Sequence, residues 1–132
     1  MLPIVIVLAL SSAYGFWYRR SRGAIKAKNK AGIITSEKLG SPLGSRASLV
    51  QFSSAFCTPC RATRTLLQNV VSNMSDVVHI DIDAEENLEL VRELNILSTP
   101  TTLILDSYGH EVARAVGAPR REQVINALAA IR

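Results

Sequence analysis

Apolar and polar positions divide this chain into three stretches. Leu2 to Tyr18 is an unbroken run of 17 residues without a formal charge, LPIVIVLALSSAYGFWY. Residues 20–46 hold no sustained apolar period, and Gly23, Gly32, Gly40, Pro42, Gly44 and several serines read as a linker. Within it, Thr35-Ser-Glu-Lys-Leu39 after Ile33-Ile34 suggests one short helical turn. From residue 48 the pattern becomes regular. Ser48–Ser53 has strand composition, and Leu66, Leu67, Val70, Val71 and Met74 recur at helical spacing between Cys60 and Met74. Val77–Ile82 is a second predicted strand. Asp83 with Glu86 resembles a capping box, opening a helix that would bury Leu88, Val91 and Leu94. Thr101–Asp106 and Glu111–Val116 flank Ser-Tyr-Gly-His, a hairpin with Gly109 at a predicted positive φ. Pro119 opens a last helix with Val124, Leu128 and Ile131 inward.

The order β-α-β-α-β-β-α predicts an α/β fold with a mixed central sheet and helices on both faces. Strands separated by helices are expected to be parallel with right-handed crossovers, and the final hairpin antiparallel. The expected organisation is an N-terminal anchor over 1–19, a basic Gly/Ser-containing linker over 20–46, and a domain over 47–132.

Charge sharpens that division. The net +4 is uneven: residues 19–46 sum to +7 and residues 47–132 to −3. The basic character belongs to one segment, so the sequence gives no support to a nucleic-acid-binding fold. A 17-residue apolar run reaches the lower end of the roughly 17–25 residues that span a bilayer. Phe16, Trp17 and Tyr18 close it, where aromatic rings favour the headgroup layer, and Arg19, Arg20, Arg22, Lys26, Lys28 and Lys30 follow. Basic flanks stay cytoplasmic, which predicts a single-pass membrane protein with its N-terminus out and its domain in the cytosol. A secretory signal has the opposite charge order, although Ser11-Ser12-Ala13 offers a weak cleavage site and leaves export open. A buried helix of a soluble fold is a third reading of the same run.

Candidate chemistry concentrates in Phe56-Cys57-Thr58-Pro59-Cys60-Arg61. The chain has two cysteines, three positions apart, where the first strand of the regular region gives way to its helix. A Cys at a helix N-terminus faces unpaired N–H groups and the positive end of the dipole, which lowers its pKa from about 8.5 toward 3.5–7.5. Cys57 is expected to be the exposed nucleophile and Cys60, a turn further in, the resolving thiol. Arg61 adds a cation that favours the anion. Two Cys and two His equal a zinc ligand count, but His79 and His110 lack the close spacing of a zinc site, and no metal is assigned.

These residues resemble the thioredoxin family over about 48–132. The CxxC after a strand, the order of elements, and Ser98-Thr99-Pro100-Thr101 before the third strand carry the likeness. The resemblance implies a thioredoxin-like fold with a trimmed N-terminal β-α. It implies that Pro100 is cis beside the active-site disulfide, with the backbone at Thr99 pairing with extended substrate. Phe56, Thr58 and Pro59 would border that substrate, and Gly109 and Gly117 would turn the chain and admit it. Two departures stand out: Phe56 and Thr58 replace the family's usual Trp and Gly around the first Cys. Gln51 occupies the position of a buried Asp that helps move a proton from the second Cys, and His79 replaces a nearby lysine. His79, or a water, is a candidate substitute for proton relay, against the simpler reading of His79 as a packed strand residue.

The function implied is thiol–disulfide oxidoreduction of protein substrates through Cys57 and Cys60, with a thiol reductase to recycle the pair. No organic cofactor is implied, and a monomer is expected. Two alternatives stay open: a non-catalytic interaction module at the membrane, and an exported oxidase or isomerase.

Overall fold

Five strands form one mixed sheet in the computed structural model, which describes residues 1–21, 25–27 and 32–131. The elements run α1 (Leu2–Ser21), β1 (Ile25–Ala27), α2 (Ser36–Leu39), β2 (Ala47–Ser53), α3 (Thr58–Ser72), β3 (Val77–Asp83), α4 (Leu88–Glu93), β4 (Thr101–Asp106), β5 (Glu111–Val116) and α5 (Arg121–Ala129). Spatial order in the sheet is β1-β5-β4-β2-β3. Central β2 is buried at all seven positions, as a strand covered on both faces must be.

Side chains alternate between two cores. Val50, Phe52, Ile80, Ile82, Leu103 and Leu105 pack with Ile34, Leu39, Leu90 and Leu94 on one face. Ala47, Leu49, Val77 and Ile104 pack beneath Leu67 and Val70 of α3 and Val124 and Leu128 of α5 on the other. The predicted cover of helices on both faces is thus realised, and the α/β order from β2 to α5 is the expected one.

Strand direction differs from expectation at β4. β2 and β3 are parallel, but β4 runs antiparallel to β2, with Phe52 opposite Thr101 and Ala47 opposite Asp106. The helical part of the connection does not return the chain: six-residue α4 rises about 9 Å, against about 23 Å for seven-residue β3. Arg114 of β5 binds the Leu94 and Asn95 carbonyls at the end of α4, and β4 starts at the C-terminal end of β2.

Three local readings are also revised. No capping box forms at Asp83; its Oδ1 accepts from the Glu85 N–H at 2.9 Å in a turn, and Asn87 is the N-cap of α4. That shift turns Leu88 outward, 57% exposed, and buries Leu90. Pro119 lies outside α5, one residue before its N-cap Arg120.

In the segment expected to be a linker, Ile25–Ala27 pairs antiparallel with β5 at the sheet edge. Thr35 caps α2 by accepting from the Lys38 N–H, and Ile34 and Leu39 are buried. Residues 33–46 thus contribute to the fold, in line with a trimmed N-terminal β-α. Arg22, Lys28 and Lys30 of the basic run lie outside the described residues. Arg46 fixes the entry to β2: its guanidinium pairs with Asp76 at 2.7 Å and donates to the carbonyls of Leu128 and Ile131 at the end of α5.

Gly109 turns the chain at positive φ as expected, but what it admits differs from what the resemblance implies. Its φ is +86°, it accepts the Ile34 N–H at 2.9 Å, and a Cβ there would lie 2.2 Å from the Ile34 carbonyl oxygen. It admits the chain's own N-terminal segment. Gly40, at φ +68°, has open space around it. Gly40→Ala is therefore expected to cost only the ~1–2 kcal/mol of a left-handed backbone, and Gly109→Ala clearly more. Urea unfolding of both variants checks this; equal losses would mean that the Ile34 contact does not constrain the fold.

Candidate active site

Helix α3 is aimed at the sheet's edge by its first turn. Cys57 is its N-cap and Pro59 stands in the opening positions, where a preset φ helps and no N–H is lost from the ladder. Cys60, Thr63, Leu67 and Val70 form the buried stripe that seats the helix on the sheet. Because Cys60 belongs to that stripe and Cys57 precedes it, the two sulfurs differ in exposure. Cys60 is 1% exposed and Cys57 is half-buried. They are joined as a disulfide, with Cα atoms 5.2 Å apart. The Cys60 N–H points at Cys57 Sγ, 3.2 Å away. In the dithiol form the same N–H and the helix dipole favour a thiolate on Cys57. Phe56, 98% exposed, and Arg61 flank Cys57 at the surface.

The reversed direction of β4 brings the second half of the site. Thr99-Pro100 is a cis peptide immediately before β4, at the edge where β2 ends. Ser54 and Thr99 hydroxyls lie 3.3 Å apart, linking the loop after β2 to the loop before β4. Pro100 accepts the Gly117 N–H at 2.8 Å, and Gly117 has φ +90°. Pro59, Thr99, Pro100, Val116, Gly117 and Ala118 line a groove of about 620 Å³ with Arg19 of α1. Arg114 holds the approach to Pro100. It pairs with buried Glu111 at 2.6 Å and donates to the carbonyls of Leu94 and Asn95 at the end of α4.

Beneath Cys60 lies a polar link that the sequence shows only in part. Gln51 is fully buried in β2; its Nε2 donates to the Cys60 carbonyl at 2.9 Å and its Oε1 lies 3.0 Å from His79 Nε2. A carbonyl can only accept, so the amide nitrogen must face Cys60 and the amide oxygen His79. His79 therefore carries its proton on Nε2. Burial lowers the His79 pKa, Asp81 opposes that, and Arg64 adds to it. His79 reaches Cys60 through the Gln51 amide and the backbone, not by a bond to the sulfur. The other histidine, His110, pairs with Asp106 in the β4–β5 turn. Among the described residues no group of three or more His, Cys, Asp or Glu could hold a metal ion.

Of the residues singled out in the sequence, Pro59, Thr99 and Pro100 line one groove, Phe56, Cys57 and Thr58 line a second, smaller pocket with Ala55 and Arg61, and Cys60 is buried in α3. Sequence reasoning named Gln51 as a loss of an acid, and its bond to the Cys60 carbonyl needed the register of β2 beneath α3. Ser54, Val116, Ala118 and Arg19 were missed, because their place at the groove comes from tertiary pairing alone.

Residues 33–130 match the family model described as Thioredoxin. The chain belongs to the thioredoxin family. This thioredoxin is 36% identical over 94 residues to the thioredoxin of Chlamydia pneumoniae, an alignment covering 71% of this chain and 91% of that protein. It is 30% identical over 74 residues to Thioredoxin H2 of Arabidopsis thaliana, covering 56% of this chain and 55% of that one, so it spans about half the plant relative's length. The X-ray structure of Fasciola hepatica thioredoxin superposes with a TM-score of 0.59 at 21% identity, over 67% of this chain and 84% of that one, a likeness of fold. With a CxxC pair in place, the protein is a thiol–disulfide oxidoreductase that acts on protein disulfides.

Burial of His79 fixes a pH signature. Its lowered pKa means that the unfolded chain takes up the proton first as pH falls through about 6.5. The stability contributed by neutral His79 is present above that pH and is lost below it. The urea midpoint is expected to fall between pH 7.5 and 5.5, and to fall less in His79→Gln. An equal fall in both would assign the effect to another group.

Proposed function

We propose that this thioredoxin works in the reducing direction, with Cys57 as nucleophile and Cys60 as resolving thiol. The observation that supports the reading is the asymmetry of the pair: Cys57 stands half-buried at the N-cap of α3, and Cys60, 1% exposed, belongs to the buried stripe of the helix behind it. Cys57 thiolate attacks one sulfur of a substrate disulfide; a Cys57–substrate S–S bond forms, the substrate S–S bond breaks, and the leaving thiolate takes a proton. Cys60 then loses its proton and attacks Cys57 Sγ. The Cys57–Cys60 bond forms, the mixed disulfide breaks, and the second substrate sulfur leaves and is protonated. Two electrons and two protons pass to the substrate.

Thr99 and Pro100 offer backbone to an extended substrate segment, with Phe56, Thr58 and Pro59 as the opposite border of the groove. His79 acts as a positioning residue through Gln51, holding the Cys60 carbonyl and hence the first turn of α3. A cellular thiol reductase returns the pair to the dithiol, and the domain acts as a monomer.

Leu2–Arg20 is one helical span of 19 residues, apolar enough to cross a membrane, and none of it is buried against the rest of the chain. A core helix does not have that exposure. At 1.5 Å per residue it covers about 28 Å, close to the ~30 Å of a hydrocarbon core. A signal sequence has the same length and composition; the basic residues that follow the span instead of preceding it favour an anchor with the domain in the cytosol.

Insulin reduction with Cys57→Ser and Cys60→Ser variants tests the mechanism. Cys57→Ser is expected to lose at least about a thousandfold in rate, while Cys60→Ser traps a mixed disulfide on Cys57 visible by mass. Reduction that survives Cys57→Ser would replace catalysis with a scaffold role.

A further inference from the structure

The edge of the fold that carries the disulfide is also the edge at which the N-terminal helix arrives. β1 pairs antiparallel with β5, Ile25 opposite Ala115 and Ala27 opposite Ala113, so the chain enters β1 beside the Val116 end of β5. That end continues into Gly117, whose N–H bonds the Pro100 carbonyl. From Ser21, the last residue of α1, to Ile25 there are four Cα–Cα steps, at most about 14 Å of chain. Arg19 stands in the wall of the same groove as Pro59, Thr99 and Pro100. The opposite end of the sheet, where Arg46 binds the carbonyls of Leu128 and Ile131, is a full strand length away.

We infer that the groove faces the membrane surface and takes disulfides held in the extended juxtamembrane segment of an integral membrane protein. The inference rests on the oxidoreductase and anchor readings above. With Phe16, Trp17 and Tyr18 at the headgroup level and Arg19 just beyond, the groove sits at the water–headgroup boundary. Leu97, 86% exposed and next to the groove residue Ser98, and Phe56, next to Cys57, add exposed apolar surface. A soluble disulfide must diffuse to this edge past the membrane, whereas one a few residues above a neighbouring transmembrane helix is delivered at its height. The exchange is the one written above, with the two electrons and two protons coming from the Cys57–Cys60 dithiol.

The test uses the full chain, pre-reduced, in lipid vesicles with transmembrane peptides whose disulfide loop lies about five or about thirty extended residues outside the bilayer. The near loop is expected to be reduced at least about tenfold faster, the gain that tethering within reach confers. Two variants separate orientation from simple attachment. In one, residues 1–21 are moved to follow Arg132 through an equally short spacer, which turns the opposite edge toward the bilayer. In the other, about twenty Gly/Ser residues are inserted after Arg22, which frees the domain to turn. Both are expected to keep reducing soluble insulin, the Gly/Ser-insertion variant, which retains Arg19, at least as fast as the parent, and to lose the near-loop preference to within about twofold. A near-to-far ratio of one in the parent, or a ratio that survives both rearrangements, overturns the inference. Failure of the parent to float with the vesicles removes the anchor and the inference with it. Failure to reduce insulin overturns the oxidoreductase reading itself.

Discussion

The antiparallel pairing of β2 with β4 is the constraint on which the site depends. β2 ends at Ser53 and leads to the cysteines, and β4 begins at Thr101 directly after the cis Thr99-Pro100 peptide. Only because β4 starts where β2 ends do these two loops meet, tied by the Ser54 and Thr99 hydroxyls. A parallel β4 would begin beside Ala47, at the other end of the sheet. Short α4 does not carry the chain back along β3, and Arg114, holding the Leu94 and Asn95 carbonyls from β5, ties the connection to the sheet.

Packing on two faces then differentiates the two sulfurs. α3 lies on the sheet through Cys60, Thr63, Leu67 and Val70, so the stripe that stabilises the helix is the same stripe that buries the inner cysteine. Exposure of the outer cysteine follows from its N-cap position and not from a separate feature. Under the helix, Gln51 spends both ends of its amide, one on the Cys60 carbonyl and one on His79. A buried carboxylate there would titrate; the amide cannot, and it links the first turn of α3 to β3 without adding charge to the core.

Much of this was legible in the sequence. β4 and β5 have the expected bounds because β-branched runs and the Ser-Tyr-Gly-His turn delimit them, and the cysteine spacing located the chemistry. Directions and pairings were not legible. A helical pattern between two strands says that the chain leaves the sheet, but where it returns is decided by the pairing of β4 with β2 and β5, which no local pattern encodes. The Asp83 signal was ambiguous in physical terms: an Asp oxygen satisfies a neighbouring N–H equally well in a turn and at a helix cap, and here it serves the turn. β1 has no local signature, since its three residues pair only because β5 offers a free edge. That pairing decides which edge of the fold the N-terminal helix approaches, and so brings that helix to the active-site edge.

A half-buried cysteine at a helix start, a buried partner, and a groove at Pro100 make a dithiol suited to giving electrons to protein disulfides. The reduction potential of the Cys57–Cys60 couple, from equilibration of the full chain with glutathione redox buffers and mass detection, tests that claim most directly. The account requires a value near or below about −240 mV, toward that of a reductant. A value of about −120 to −180 mV would contradict it and make the protein an oxidant or isomerase on the other side of the membrane.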